Sequence, residues 1–175
     1  MNTKLNRSLT TILALFILVA MQPLHADWDL NYSEMTSSST PQDIVVSLAT
    51  DPNHDPEAAC LAVTFARSLS GNDKANVTLF VTLDGVNLAS EDYISRKRLK
   101  EYECTTPASM GGKISLIDHL TAYIGGNDNK MIVCPICWNE RYEGESPDFG
   151  VLPGDTAPGT AIGTVMFNAD KILSF

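Results

Sequence analysis

The sequence predicts an α/β protein, a three-layer α/β/α sandwich around a mostly parallel, five-stranded sheet. Two observations carry this. From Asp43 onward, short β-branched apolar runs alternate with helical patterns. The first run, Ile44-Val45-Val46-Ser47-Leu48-Ala49, is almost unbroken apolar, as a strand covered on both faces must be.

The elements follow in order. After the first strand, Thr50-Asp51-Pro52-Asn53 turns the chain, and Asp55 caps a helix with Pro56 at its first position. Ala58, Leu61, Ala62, Phe65 and Leu69 fall on one face of that helix, which is expected to pack on the sheet. Gly71-Asn72-Asp73 ends it, and Val77 to Leu83 reads as the second strand. Between Asp84 and Lys113 the chain turns polar, with Arg96, Lys97, Arg98 and Lys100 close together, and a mobile connection is expected there. Leu116, Ile117, Leu120, Tyr123 and Ile124 recur at helical spacing until Gly125-Gly126-Asn127, with His119 flanking the apolar face as a structural residue. Met131-Ile132-Val133 is a third strand, running into Cys134-Pro135-Ile136-Cys137 and a short helix to about Tyr142. Residues Glu143 to Asp155 read as a surface loop, Thr156 to Asn168 as a last helix, and Lys171 to Phe175 as a closing strand.

Residues 1–26 have the three regions of a secretory signal: Lys4 and Arg7, the apolar run Leu9 to Met21, and Leu24-His25-Ala26 as the cleavage site. The run falls short of the roughly 20 residues a bilayer span needs, so no stable membrane insertion is expected after cleavage. Residues 27–42, with Ser37-Ser38-Ser39-Thr40-Pro41, read as a flexible leader, and 43–175 as the single folded domain. Cleavage would leave 10 basic residues against 21 acidic ones, a net charge of −11. A surface so acidic disfavours nucleic acid, because phosphate contacts need positive charge.

All four cysteines lie outside the signal segment and would enter an oxidising compartment, where three fully paired connectivities are open to them. Cys134 stands where the third strand meets a helix, at the N-cap position with Pro135 in the first turn. Unpaired N–H groups and the positive end of the helix dipole face that position, so a lowered thiol pKa is expected there. The alternatives are a buried inert thiol or half of a structural disulfide. Cys137, one turn on, is within reach of the same sulfur and would close an internal disulfide with it. Thioredoxin-like proteins share this spacing after an early strand, whereas here it follows a late one. Cys60 points away from the apolar face of its helix and is expected outside the core, where a disulfide to Cys104 is one option. An oligomer contact for Cys60 and a free loop thiol for Cys104 are the others. His54 and Asp51, in the loop after the first strand, are auxiliary candidates: His54 either carries protons near Cys134 or is a solvated loop residue. The cysteine and histidine intervals match no zinc spacing, and no metal or other cofactor is expected.

The ordered set Ile44-Val45-Val46-Ser47-Leu48-Ala49-Thr50-Asp51-Pro52, Phe65-Ala66, Val77 to Leu83 with Asp84-Gly85-Val86, Ile132-Val133-Cys134-Pro135 and Asp170 to Phe175 resembles the DsrE/DsrF-like family of small sulfur-handling proteins. The resemblance covers about Asp43 to Phe175. It implies a layered α/β/α fold, a persulfide carried on Cys134 in the manner of a sulfurtransferase, a sulfur-donor or acceptor protein as partner, and trimers or hexamers of the chain. The sequence departs from the family in its signal segment, in its second motif cysteine, and in Arg141-Tyr142 where relatives often have Arg-Gly. The reading that results is an exported, periplasmic or secreted sulfur carrier. The alternatives are a dithiol/disulfide redox protein and a non-catalytic, partner-binding subunit of the same fold.

Overall fold

The computed structural model describes residues 40–126, 129–153 and 158–175. They all fall within one compact unit, Met35–Phe175. The signal segment 1–26, most of the 27–42 leader, and Asn127 lie outside the described residues. Among those described, no helix is long and apolar enough to cross a membrane.

In chain order the elements are β1 (Gln42–Leu48), α1 (Pro56–Ser70), β2 (Ala75–Val81), a 3-10 segment (Leu83–Ala89) and the short helices α2 (Glu91–Ile94) and α3 (Lys97–Lys100). Next come β3 (Glu103–Thr105), β4 (Lys113–Ser115), α4 (Leu116–Ile124), β5 (Lys130–Val133), α5 (Pro135–Asn139), α6 (Pro158–Asn168) and β6 (Lys171–Ser174).

The main sheet is wholly parallel in the order β5-β2-β1-β6. Register sets Leu173, Val46, Leu79 and Met131 in one row across it. Leu48, Val81 and Val133 make the next row on the same face, while Val45 and Phe80 are buried on the opposite face. Burial on both sides is why β1 reads as continuous hydrophobicity rather than alternation. Crossovers between parallel strands are right-handed. Those from β1 to β2 and from β2 to β5 run in one direction, so α1 and α4 share a face, and they pack on each other. The return from β5 to β6 runs the other way, which sets α6 on the opposite face, against β1.

The α/β architecture is the one expected, but the sheet has four strands rather than five. Beyond β5 the fifth position is held by one residue, Val151. Its N–H donates to the Met131 carbonyl and its carbonyl accepts from Val133, both at 3.0 Å. Gly150 precedes it at φ 81°, where a Cβ would stand 2.9 Å from the Met131 carbonyl oxygen, so the loop arrives too close to extend the ladder. β3 and β4 form a separate antiparallel hairpin.

Two other expectations are corrected. On α1, Asp55 caps as anticipated, accepting the Ala58 N–H at 3.0 Å. The buried face, however, is Ala59, Cys60, Ala62, Val63 and Ala66. Leu61 and Phe65 are 41% and 36% exposed, and Cys60 is only 6% exposed. Small side chains let the helix backbone sit close to the sheet, and the Cys60–Cys104 disulfide, with Cα atoms 5.4 Å apart, fixes the rotation. The connection 84–113 is folded rather than loose: Val86, Leu88, Ala89, Ile94, Leu99 and Cys104 all join the core.

His119 is fully buried on α4. Arg67 Nη1 donates to its Nδ1 at 3.2 Å, so Nδ1 is the unprotonated nitrogen and Nε2–H donates to Thr64 Oγ1 at 2.9 Å. Burial, reinforced by the Arg67 charge, pushes its pKa down to about 4 from 6.5.

Two outcomes follow. The native state disfavours the charged imidazole, so stability is complete above the unfolded value of 6.5 and falls as pH drops toward 4, by up to about 3 kcal/mol. Denaturant unfolding of the wild type and His119→Gln at several pH values checks this, and the variant should lose the dependence in that window. Opening the disulfide, whose cysteines are 44 residues apart, by a Cys60→Ala/Cys104→Ala double substitution should cost on the order of 2–4 kcal/mol in the same assay.

Candidate functional site

The site lies at the carboxyl mouth of the sheet, where chain geometry leaves little freedom. The Cys134 N–H donates to the Val81 carbonyl at 2.9 Å, which ends the β2–β5 ladder. Cys134 is the N-cap of α5 with Pro135 next, and its carbonyl accepts the first helical bond, from Trp138, at 2.9 Å. One turn on, Cys137 brings its Sγ to 2.8 Å from the Cys134 Sγ. Both are free thiols, 8% and 9% exposed.

Trp138 anchors the short helix. It is buried, donates from Nε1 to the Glu145 carbonyl at 2.8 Å, and stacks on Tyr142 with ring centroids 4.2 Å apart. The Tyr142 hydroxyl donates to Asn87 Oδ1 at 2.8 Å, tying α5 to the 3-10 segment. That segment is clamped against the end of β1. Thr82 N–H donates to the Leu48 carbonyl at 2.9 Å and Gly85 N–H to the Ala49 carbonyl at 3.1 Å. A Cβ on Gly85 would stand 2.2 Å from the Leu48 carbonyl oxygen, so only glycine fits. Between these clamps Leu83 takes φ 49°, a left-handed conformation that costs a leucine on the order of 1 kcal/mol.

The result is a set of donors around Cys137. Thr82 Oγ1 lies 3.7 Å from its sulfur. Arg141 Nη1 donates to the Cys137 carbonyl at 3.0 Å, while its Nη2 pairs with Asp84 on the 3-10 segment. Burial pushes the Cys137 thiol up, but hydrogen bonds from Cys134, Thr82 and the Leu83 N–H, with the Arg141 charge, outweigh it, and the net shift is downward. Burial raises Cys134, and its hydrogen bond to Cys137 adds to the rise, so its net shift is upward. The expectation of a lowered pKa at Cys134 is thus reversed. The one N–H of the α5 first turn that favours its thiolate, from Cys137, is outweighed by desolvation, and the helix has only five residues. Of the two, Cys137 is the sulfur that ionises first and Cys134 the one that holds its proton longer.

Cys134 and Cys137 are therefore brought together, as are Cys60 and Cys104 in their disulfide. The auxiliary candidates have other roles. His54 is exposed in the turn after β1 and hydrogen-bonds to neither sulfur. Asp51 is a structural acceptor: it takes the Tyr93 hydroxyl on both oxygens, at 2.8 and 2.9 Å, and the Asn53 N–H at 2.8 Å. Burial, followed by that carboxylate, pushes Tyr93 up to about 12, and Arg96 lies over its ring at 4.3 Å. Among the described residues no cluster of His, Cys, Asp and Glu is arranged to hold a metal. Sequence reading missed Thr82, Leu83 and Arg141 as neighbours of the sulfur. The available signal was Thr82-Leu83-Asp84-Gly85 at a parallel strand's carboxyl end, where ligand-binding groups gather.

What the fold and site define is an α/β protein with a buried vicinal dithiol at the mouth of a parallel sheet. No family model matches the chain, and neither does any curated protein. Among solved structures the chain is similar to the crystal structure of the ychN protein from E. coli, with 19% sequence identity and a TM-score of 0.49 over 78% of this chain and 99% of that one.

Titration of the reduced protein, followed by thiolate absorbance, should show two separate steps, one below the ordinary thiol value near 9 and one above it. In Cys134→Ala the remaining Cys137 loses a hydrogen-bond donor and should ionise at higher pH than the first wild-type step. Two coincident, unshifted steps would contradict the assignment.

Proposed function

We propose that the chain is an exported sulfur carrier in which Cys134 holds a persulfide and Cys137 controls its formation and release. The observation that carries this is the 2.8 Å separation of the two sulfurs at the sheet mouth, beside the Thr82 hydroxyl. In loading, the Cys137 thiolate takes the Cys134 proton as Cys134 attacks the outer sulfur of a sulfane donor. The donor's thiolate leaves and one sulfur remains on Cys134. Of two sulfurs, the one with the higher pKa is the stronger nucleophile once ionised, which suits Cys134 to the attack. In release, Cys137 attacks the inner sulfur of the persulfide, closes the Cys134–Cys137 disulfide and expels hydrosulfide.

The resemblance to the DsrE/DsrF-like family supports the persulfide. The residue 1–26 pattern supports export, and the Cys60–Cys104 disulfide is in keeping with an oxidising compartment. Self-association as a trimer or hexamer is part of the same reading. It is supported by the uncharged α6, whose Phe167 is 94% exposed.

A second reading, dithiol/disulfide exchange without a carried sulfur, is favoured by the same short distance and by the burial of both thiols. Mass spectrometry of the reduced protein after a sulfane-sulfur donor separates the two. The carrier gains about 32 Da, one sulfur, on Cys134, loses the adduct in Cys134→Ser and keeps it longer in Cys137→Ser. Loss of two hydrogens between Cys134 and Cys137 with no added sulfur would favour the redox reading.

A further inference from the structure

We infer that the oxidised form of the pair takes up hydrosulfide directly: HS⁻ attacks the Cys134 Sγ, the Cys134–Cys137 bond breaks, and Cys137 leaves as the thiolate. This rests on the proposed placement of the carried sulfur on Cys134 and is the proposed release step run in reverse, which makes hydrosulfide a substrate as well as a product. Atoms and electrons balance within the site. The new bond joins the hydrosulfide sulfur to Cys134, the proton of HS⁻ stays on the terminal sulfur, and the electron pair of the broken bond goes to Cys137. Sulfide is oxidised to the sulfane level and the disulfide is reduced, so no further oxidant enters the step.

Which sulfur of a disulfide is attacked depends on which partner leaves better, and the better leaving group is the one whose negative charge is held. Here that is Cys137. Thr82 Oγ1 stands 3.7 Å from its sulfur but serves Cys134 as well; what Cys137 alone has is the Leu83 N–H and the charge of Arg141, whose guanidinium is bonded to the carbonyl of the same residue at 3.0 Å. The ion pair to Asp84 and the clamp on the 3-10 segment keep both groups in place when the sulfur changes state. Thr82 and Leu83 follow β2 and Arg141 follows α5, so the donors converge on Cys137 from two separate parts of the chain.

Size gives the substrate class. Cys134 is 8% exposed and Cys137 9%, so an attacking atom must reach a nearly closed surface. Hydrosulfide has one heavy atom and no substituent to exclude, whereas a larger thiol must bring its carbon chain to the same nearly closed surface. Its single negative charge is met at the site by Arg141, whose charge acts on the Cys137 sulfur.

The test uses the full chain with the Cys134–Cys137 bond oxidised and the Cys60–Cys104 bond intact, given one equivalent of sodium sulfide and read by mass spectrometry. The expected result is a gain of about 34 Da over the oxidised protein, one sulfur and two hydrogens after protonation, with the extra sulfur mapped to Cys134. Arg141→Gln should slow uptake by roughly three- to tenfold, as the leaving thiolate loses its charge partner, and Arg141→Lys should recover most of the rate. Cys137→Ser, which has no bond to break, should take up nothing. Sulfur mapped to Cys137, or an oxidised wild type that takes up none, overturns the inference. If the reduced protein still accepts sulfur from a sulfane donor while the oxidised one ignores sulfide, only this inference fails. If neither form acquires sulfur, the carrier reading beneath it fails as well.

Discussion

One backbone hydrogen bond, from the Cys134 N–H to the Val81 carbonyl, fixes where the sheet ends and the site begins. It is the last rung of the β2–β5 ladder, and the chain turns into α5 immediately after it. Val81 is also the last residue of β2, so the same rung sets Thr82, Leu83 and the 3-10 segment directly beside the first cysteine. A slip of one residue along β5 would send Cys134 to the other face of the pleat and remove it from Thr82. The buried rows Leu48-Val81-Val133 and Val46-Leu79-Met131 prevent that slip, because it would exchange apolar side chains for the polar end of the strand. Core packing is thus what holds the chemistry in register.

The CxxC motif supplies only the spacing; the difference between its two sulfurs comes from elsewhere in the chain. Cys134 is buried against the strand end and receives one N–H from its own helix and a bond from the Thr82 hydroxyl, which burial outweighs. Cys137 receives donors that the chain delivers from β2 and from the residues after α5. That asymmetry gives the pair a direction. Cys137 ionises more readily, and Cys134 holds its proton longer. The strained Leu83 and the glycine-only contact at Gly85 fit this view, since strain of this kind persists only where surrounding structure holds it.

Much of the scaffold was legible in the sequence. Four parallel strands, the Asp55–Pro56 start of α1, the Leu116–Ile124 helix and the strand-to-helix junction at Cys134 all follow from local patterns of period 2 or 3.6 and from cap residues. Long-range contacts were not legible. The rotation of α1 is set by a disulfide to a residue 44 positions away and by how closely Ala59, Ala62 and Ala66 let the helix approach, so the larger Leu61 and Phe65 misled the pattern. The 84–113 connection read as mobile because it is long and polar, yet Val86, Leu88, Ile94 and Leu99 each reach the core from short turns. For the site, the two cysteines were readable from spacing. Thr82 was marked only by its place at a parallel strand's carboxyl end, and Arg141, four residues past Cys137, only by its spacing, neither of which says that the side chain turns toward a sulfur.

A redox titration of the full chain against a thiol/disulfide buffer, with free thiols counted and located by mass spectrometry, tests the pairing most directly. The account predicts that two thiols, Cys134 and Cys137, appear together in one two-electron step while Cys60 and Cys104 stay joined. Independent titration of Cys134 and Cys137, or the opening of all four cysteines at a single potential, would contradict it.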